Sequence, residues 1–265
     1  MNVTPSKPSV LSGPALILLP FLAETMPIGT ALLVQQIYYW TRKTCLKNDD
    51  GDPVVCYTYL DWQKQFPFLS TRWLKKMVGD LEKDNWISVE RCSSYNRYMM
   101  SETYKTEIKK HQQNGDMPPL KNFVLDTDAL VKVFAALVVS VGMVEAIILQ
   151  LLHIRTYKKA DWWVKKTAIE WRNDLLRFVS VRTVERALHK LDKLGLIIVE
   201  KAINKGHNSK RMRVNYIGLA ERLGIDVDGM PEVHTQTVKD SSAIANSALV
   251  SANISPSSTV CSPLV

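Results

Sequence analysis

Arg182, Glu185, Arg186, His189 and Lys190 recur at intervals of three and four residues, the spacing that gathers side chains on one face of a helix. Their types suit the edges of paired bases. An arginine can donate to both acceptors of guanine, and a glutamate can accept from the cytosine amino group. Val181 and Thr183, at the head of the same stretch, can meet a thymine methyl. A second cationic run follows, Lys201, Lys205, Lys210, Arg211 and Arg213, with His207 among them and no acid in between. Interleaved with Gly206, Asn208 and Ser209, it has the chemistry of phosphate or minor-groove contact, which adds affinity but little sequence information. Taken singly, each run also fits a solvated surface.

The elements that must position these residues are signalled nearby. Ser180 is a suitable N-cap, because its hydroxyl can take an unpaired amide of the first turn. Val184, Leu188 and Leu191 form one apolar stripe opposite the charged face, and Gly195 supplies a left-handed stop. Leu196, Ile197, Ile198 and Val199 then read as a strand. A short, capped, basic-faced helix running into a hairpin is what the base-reading half of a winged helix-turn-helix requires.

The stretch has a second copy. Residues 68–90 lie on residues 178–200 at a shift of 110 without a gap: Phe68 on Phe178, Ser70 on Ser180, Arg72 on Arg182, Leu81 on Leu191, Ile87 on Ile197 and Glu90 on Glu200. Upstream, Thr58, Asp61 and Trp62 match Thr167, Glu170 and Trp171, and the run from Gly29 is matched with that from Gly142. Downstream, Tyr104 falls near Tyr216. Each copy spans about a hundred residues, a domain length and not a solenoid repeat. The first copy places Thr71, Arg72, Trp73, Lys75, Lys76 and Gly79 on the reading face; Trp73 fits either a wedge against a sugar or core packing. Its hairpin is poorer in charge, with Arg91 and Arg97 beside Tyr95 and Tyr98, and is expected to bind more weakly.

The 265 residues suit two modest domains with tails, and a net charge of +8 favours an anionic partner. Residues 226–265 hold Asp226, Asp228, Glu232 and Asp240 against Lys239 alone, so the basic balance lies upstream. Cys45, Cys56, Cys92 and Cys261 are scattered, as thiols of a reducing cytoplasm would be. His111, His153, His189, His207 and His234 are dispersed, and there is no phosphate loop or dinucleotide fingerprint. Asp49, Asp50 and Asp52 around Gly51 read as a solvated turn. The expectation is a protein that is not an enzyme and holds no cofactor and no metal. The apolar stretches at residues 15–23 and 133–152 are corresponding parts of the repeat, so they read as buried first helices and not as membrane spans.

In chain order the plan is mainly α with small β-hairpins. A flexible arm (1–13) precedes a first winged helix-turn-helix domain (14–104) with helices near 15–24, 30–43 and 58–65 and hairpin strands at 86–90 and 98–104. A polar linker (105–122) follows, then a second such domain (123–225) with helices at 126–139, 143–156 and 166–176 and a hairpin tip at 202–211. One helical turn at 219–223 ends that domain, and a disordered tail (226–265) ends the chain.

The order Ala31 to Trp40, with Gln35, Gln36, Ile37, Tyr39 and Trp40, then Asp61, Trp62 and Gln63, Phe66 to Ser70, and a basic helix ending Leu81-Glu82-Lys83, resembles the winged-helix domain of replication proteins from phages, plasmids and other bacterial mobile elements. The second copy matches more loosely at Glu145 to Gln150, at Trp171 and from Ser180 to Gly195. The tandem plan is similar to that of plasmid initiators that bind repeated origin sites. The resemblance implies origin recognition and recruitment of a host helicase or its loader, with the tail as the contact. A transcriptional repressor would use the same surfaces, and a scaffold would keep one copy for protein contact. The expected partner is double-stranded DNA over about two helical turns.

Overall fold

A computed structural model describes residues 15–114, 131–157, 163–204 and 207–223. Within them the chain is α+β, dominated by helices, with small antiparallel sheets. The first half runs β1 (Ala15–Leu18), α1 (Pro20–Thr25), α2 (Ile28–Thr41), β2 (Val55–Tyr57), α3 (Tyr59–Gln65), α4 (Thr71–Lys83), β3 (Ile87–Arg91), β4 (Asn96–Met100) and α5 (Glu102–Gln113). The second runs β5 (Val131–Phe134), α6 (Ala135–Val141), α7 (Met143–Tyr157), β6 (Val164–Lys165), α8 (Ala168–Leu175), α9 (Val181–Lys193), β7 (Ile197–Asn204), β8 (His207–Val214) and α10 (Tyr216–Leu223). The order of elements is the same in both. So is the order within each three-stranded sheet, β2-β4-β3 and β6-β8-β7, with the later hairpin strand in the centre.

β1 and β5 pair with each other, antiparallel, Ala15 opposite Phe134 and Leu18 opposite Val131. Leu16, Leu18, Val131 and Val133 are buried. The sequence predicts helices at 15–24 and 126–139, and here the structure differs: residues 15–18 and 131–134 are strands, with helix from Pro20 and from Ala135, while residues 126–130 lie outside the described residues. Runs of four apolar residues carry no period that separates strand from helix. Each becomes a strand because the other supplies its backbone partners.

α2 is buried nearly all round, through Ala31, Leu32, Leu33, Val34 and Ile37, and so forms the centre of its half. α7 does the same through Ala146, Ile147, Ile148, Leu149 and Leu152. Their buried polar groups are placed alike: Gln35 and Gln150 lie equally far from their helix starts, as do Thr41 and Thr156. This replaces the sequence match of Gly29 with Gly142. Gly142 precedes α7 as Pro27 precedes α2, and its φ of 109° makes it the junction that breaks the long apolar run. Among the described residues no helix is long and apolar enough to cross a membrane.

Three further expectations change. Residues 105–113, taken for linker, are helical, and 101–104 are not strand. Ser101 caps α5 by accepting from the Tyr104 amide at 3.3 Å, and Tyr104 and Ile108, one turn apart, are its buried anchors. Every other position of α5 is polar or exposed enough to read as a linker. The second hairpin does not open at residue 202; its ladder continues to Asn204 opposite His207. α10 begins at Tyr216, not 219. The arm at 1–13, the linker beyond residue 114 and the tail from 226 lie outside the described residues.

The helix stops repeat as well. Gly195 has φ 68°, and at the equivalent place Asn85 takes φ 57°, a left-handed conformation that asparagine tolerates better than most residues. α5 and α10 close on α2 and α7 through one buried tyrosine each. Tyr104 donates to Gln35 Oε1 at 2.8 Å, and the Tyr216 hydroxyl meets His153 Nδ1 at 2.7 Å. Burial holds the Tyr104 hydroxyl well above the usual phenol range. Tyr104→Phe leaves the Gln35 oxygen buried without a donor, and a loss of about 1–3 kcal/mol is expected in urea unfolding; an unchanged midpoint would contradict this role.

Candidate nucleic-acid interface

α3 and α8 start from the same device. The Thr58 hydroxyl accepts from the Asp61 amide at 3.1 Å while the Asp61 carboxylate accepts from the Thr58 amide at 3.1 Å. Thr167 and Glu170 repeat it at 3.2 and 2.6 Å. Such capping boxes satisfy amides that have no partner inside the helix. The backbone and hydroxyl hydrogen bonds from Thr167 hold the Glu170 carboxyl below its usual value. Trp62 and Trp171 bury the inner faces of α3 and α8 completely. Trp62 meets Tyr57 and Tyr98 edge-on, with ring centroids 4.7 and 5.5 Å apart.

Both helices then turn at a buried apolar residue, Phe66 or Leu176. Leu69 N–H donates to Phe66 O at 2.9 Å, and Val179 N–H donates to Leu176 O at 2.9 Å. Ser70 caps α4 by accepting from the Trp73 amide at 3.3 Å, and Ser180 caps α9 by accepting from Thr183 at 3.1 Å. Leu74, Val78 and Leu81 face the core from α4; Val184, Ala187 and Leu191 do so from α9, with Leu188 half-buried.

The outer faces carry the residues the sequence singled out. On α9, Arg182, Glu185, Arg186 and His189 are exposed, and Val181 and Thr183 half-buried. Arg182 and Arg186 have no ion-pair partner among the described residues. The Thr183 hydroxyl lies 2.9 Å from Ser180 Oγ, so it belongs to the cap. On α4, Arg72, Trp73, Lys75 and Lys76 are exposed and Thr71 half-buried. Trp73, 55% exposed, is not core. Lys76 Nζ lies 5.4 Å from its ring centroid and 3.7 Å from Asp80, and Lys75 Nζ lies 5.5 Å from the Tyr59 ring.

Lys190 is turned elsewhere. Its ammonium donates to Val141 O at 2.6 Å and pairs with Glu145 at 3.0 Å, tying α9 to the α6–α7 junction at Gly142. Helical spacing put Lys190 near the reading face, but Glu145, from another helix, draws it back.

In the hairpins, three described arginines are paired with carboxylates. Arg97 pairs with Glu90 across the strands at 3.2 Å and lies 6.0 Å from the Tyr95 ring, and Arg91 reaches Glu82 with two hydrogen bonds at 3.1 and 2.5 Å. These carboxylates, with Tyr95 beside Arg97, raise the pKa of both arginines, and Arg91 in turn holds Glu82 below its usual value. The second hairpin repeats the cross-strand pair, with Arg211 on Glu200 at 2.5 and 2.9 Å. Arg211 and Arg213 both lie over Trp163, at 4.5 and 4.7 Å. Lys210 is exposed, opposite Lys201 in the ladder. Lys201 and His207 are placed by their backbones, in β7 and β8, and Lys205 lies outside the described residues.

Trp163, Glu200 and Glu145 are the residues that sequence reasoning missed. The sequence reading puts Trp163 inside a short strand at 162–164, whereas β6 is Val164–Lys165 and Trp163 precedes it; its arginine partners follow only from the β6–β8 register. Among the described residues Cys45, Cys56 and Cys92 form no disulfide, and no cluster of His, Cys, Asp or Glu could hold a metal ion. No protein-family model matches the chain, and comparison with curated proteins finds no significant match.

The pairing at Glu90 is testable. Glu90→Gln removes the charge that holds Arg97. Nonspecific affinity for duplex DNA is expected to rise, and its salt dependence to steepen by about one counterion; an unchanged slope would contradict the assignment of Arg97 to the DNA side.

Proposed function

We propose that the chain is a sequence-specific double-stranded DNA-binding protein built from two tandem winged helix-turn-helix domains, and that it initiates replication of a bacterial mobile element. The observation that carries this reading is the repetition of one device. α3–α4 and α8–α9 share their caps, turn and buried anchor, present cations at the head of the second helix, and lead into a hairpin. In this reading α4 and α9 enter major grooves, with Arg182 and Arg186 on guanine edges, Glu185 on a cytosine amino group, and Arg72, Lys75 and Lys76 as their first-domain counterparts. Trp73 packs on a deoxyribose, and Lys210 with the rest of the second hairpin meets phosphate.

The replicative role rests on the resemblance of residues 31–83 to replication proteins of mobile elements. With it come a cytoplasmic setting and recruitment of a host helicase or its loader by residues 226–265. Mapping the bound sites tests the role: iterated sites inside an origin support initiation, while a single site over a promoter would make the protein a regulator.

Side-chain variants test the interface. Arg186→Ala is expected to cost about 1–3 kcal/mol of binding and to relax preference at one base pair, whereas Lys210→Ala weakens binding on all sequences and lowers the salt slope by about one. Arg72→Ala with Lys75→Ala should also weaken binding; unchanged affinity would assign the first domain to protein contact.

A further inference from the structure

We infer that the DNA this chain reads is a pair of unlike half-sites in inverted orientation about an approximate dyad. The inference rests on the proposed DNA-reading role and adds the orientation of the two sites. The register of β1 and β5 carries it. The offset that sets Gln35 on Gln150 sets Leu16 on Val131, Ile17 on Lys132 and Leu18 on Val133, buried on buried and half-buried on half-buried. Leu16 pairs with Val133, Leu18 with Val131, and Ile17 with its own counterpart Lys132. Exchanging the two strands therefore reproduces the same pairing, which is the signature of a two-fold axis through the ladder.

That axis belongs to the two halves and not to the strands alone. β1 packs against α2 and β5 against α7. Each strand runs almost directly into a short helix, α1 after Leu19 and α6 at Ala135. The inward side chains Leu16, Leu18, Val131 and Val133 are all buried, so neither strand is a loose strap. The same rotation that exchanges β1 and β5 exchanges α4 and α9, because the element order and sheet order are the same in both halves.

Two reading helices related by a perpendicular two-fold meet the duplex as the helices of a symmetric dimer do, and their half-sites are inverted. Half-sites in direct repeat about one helical turn apart are related by a translation along the duplex with almost no rotation. That operation keeps strand direction, so β1 and β5 would be parallel; they are antiparallel. The dyad is only approximate in chemistry. Where α9 presents Thr183, Glu185 and Arg186, α4 presents Trp73, Lys75 and Lys76. The two half-sites therefore differ in sequence while opposing each other in direction.

The experiment selects duplexes from a random pool with the full chain and assigns each half-site by the base preference lost in Arg72→Ala or Arg186→Ala. Affinity is then measured for the selected site, for the same site with the Arg72 half reversed at fixed centre spacing, and for the site with that half scrambled. Reversal is expected to weaken binding as much as scrambling, roughly tenfold or more. Unchanged or tighter binding after reversal, or enrichment of direct repeats or of one half-site alone, overturns the inference while leaving sequence reading intact. A pool in which no sequence is enriched overturns the DNA-reading role and this inference with it.

Discussion

Two strands of four residues, β1 and β5, join the halves of this chain. Their backbones complete each other across a sequence separation of more than a hundred residues, a loop-closure cost that only a well-buried contact offsets. The inward side chains leave water on one side of the ladder, and α2 and α7 pack against it. Everything that faces outward is hung on those two helices. α4 stands on α2 and α9 on α7, α3 and α8 pack against α4 and α9, and each half buries a tryptophan, Trp62 or Trp171. The β1–β5 pair thus joins the two packing stacks, α2 with α4 and α7 with α9.

The basic balance of the chain is a poorer guide to its surface than the pairing within it. Of the hairpin cations, Arg91, Arg97 and Arg211 are held by carboxylates, and Lys190 is held at the α6–α7 junction. Exposed ion pairs of this kind add little stability, but they orient the guanidinium groups and lower the charge on the strands. Arg182 and Arg186, which have no ion-pair partner among the described residues, stand in the first half of α9. In the proposed reading, this division leaves undirected attraction to Lys210 and selectivity to the helix.

Much of this was legible in the sequence, because the signals were local. Ser70 and Ser180 mark where helices start, Gly195 marks where one ends, and the shift of 110 exposes the repeat. What escaped depends on contacts between distant residues. Ala15 to Leu18 is a strand only because Val131 to Phe134 faces it. α5 rests on Tyr104 and Ile108, too few apolar positions to stand out from a polar linker. Asn85 does the work of Gly195 without glycine's plain signal. The partners of Lys190, Arg97 and Arg211 are set by packing and strand register, neither of which spacing along one helix can supply. The exposed outer faces of α4 and α9 were therefore legible, while the pairing of the hairpin arginines was not.

The central claim is that both halves read one duplex. Hydroxyl-radical footprinting of the full chain on a selected site tests it most directly. The account predicts two protected patches on the same face of the DNA, about one helical turn apart, spanning roughly two turns in all. Protection of a single groove, or uniform protection on every sequence, would contradict it.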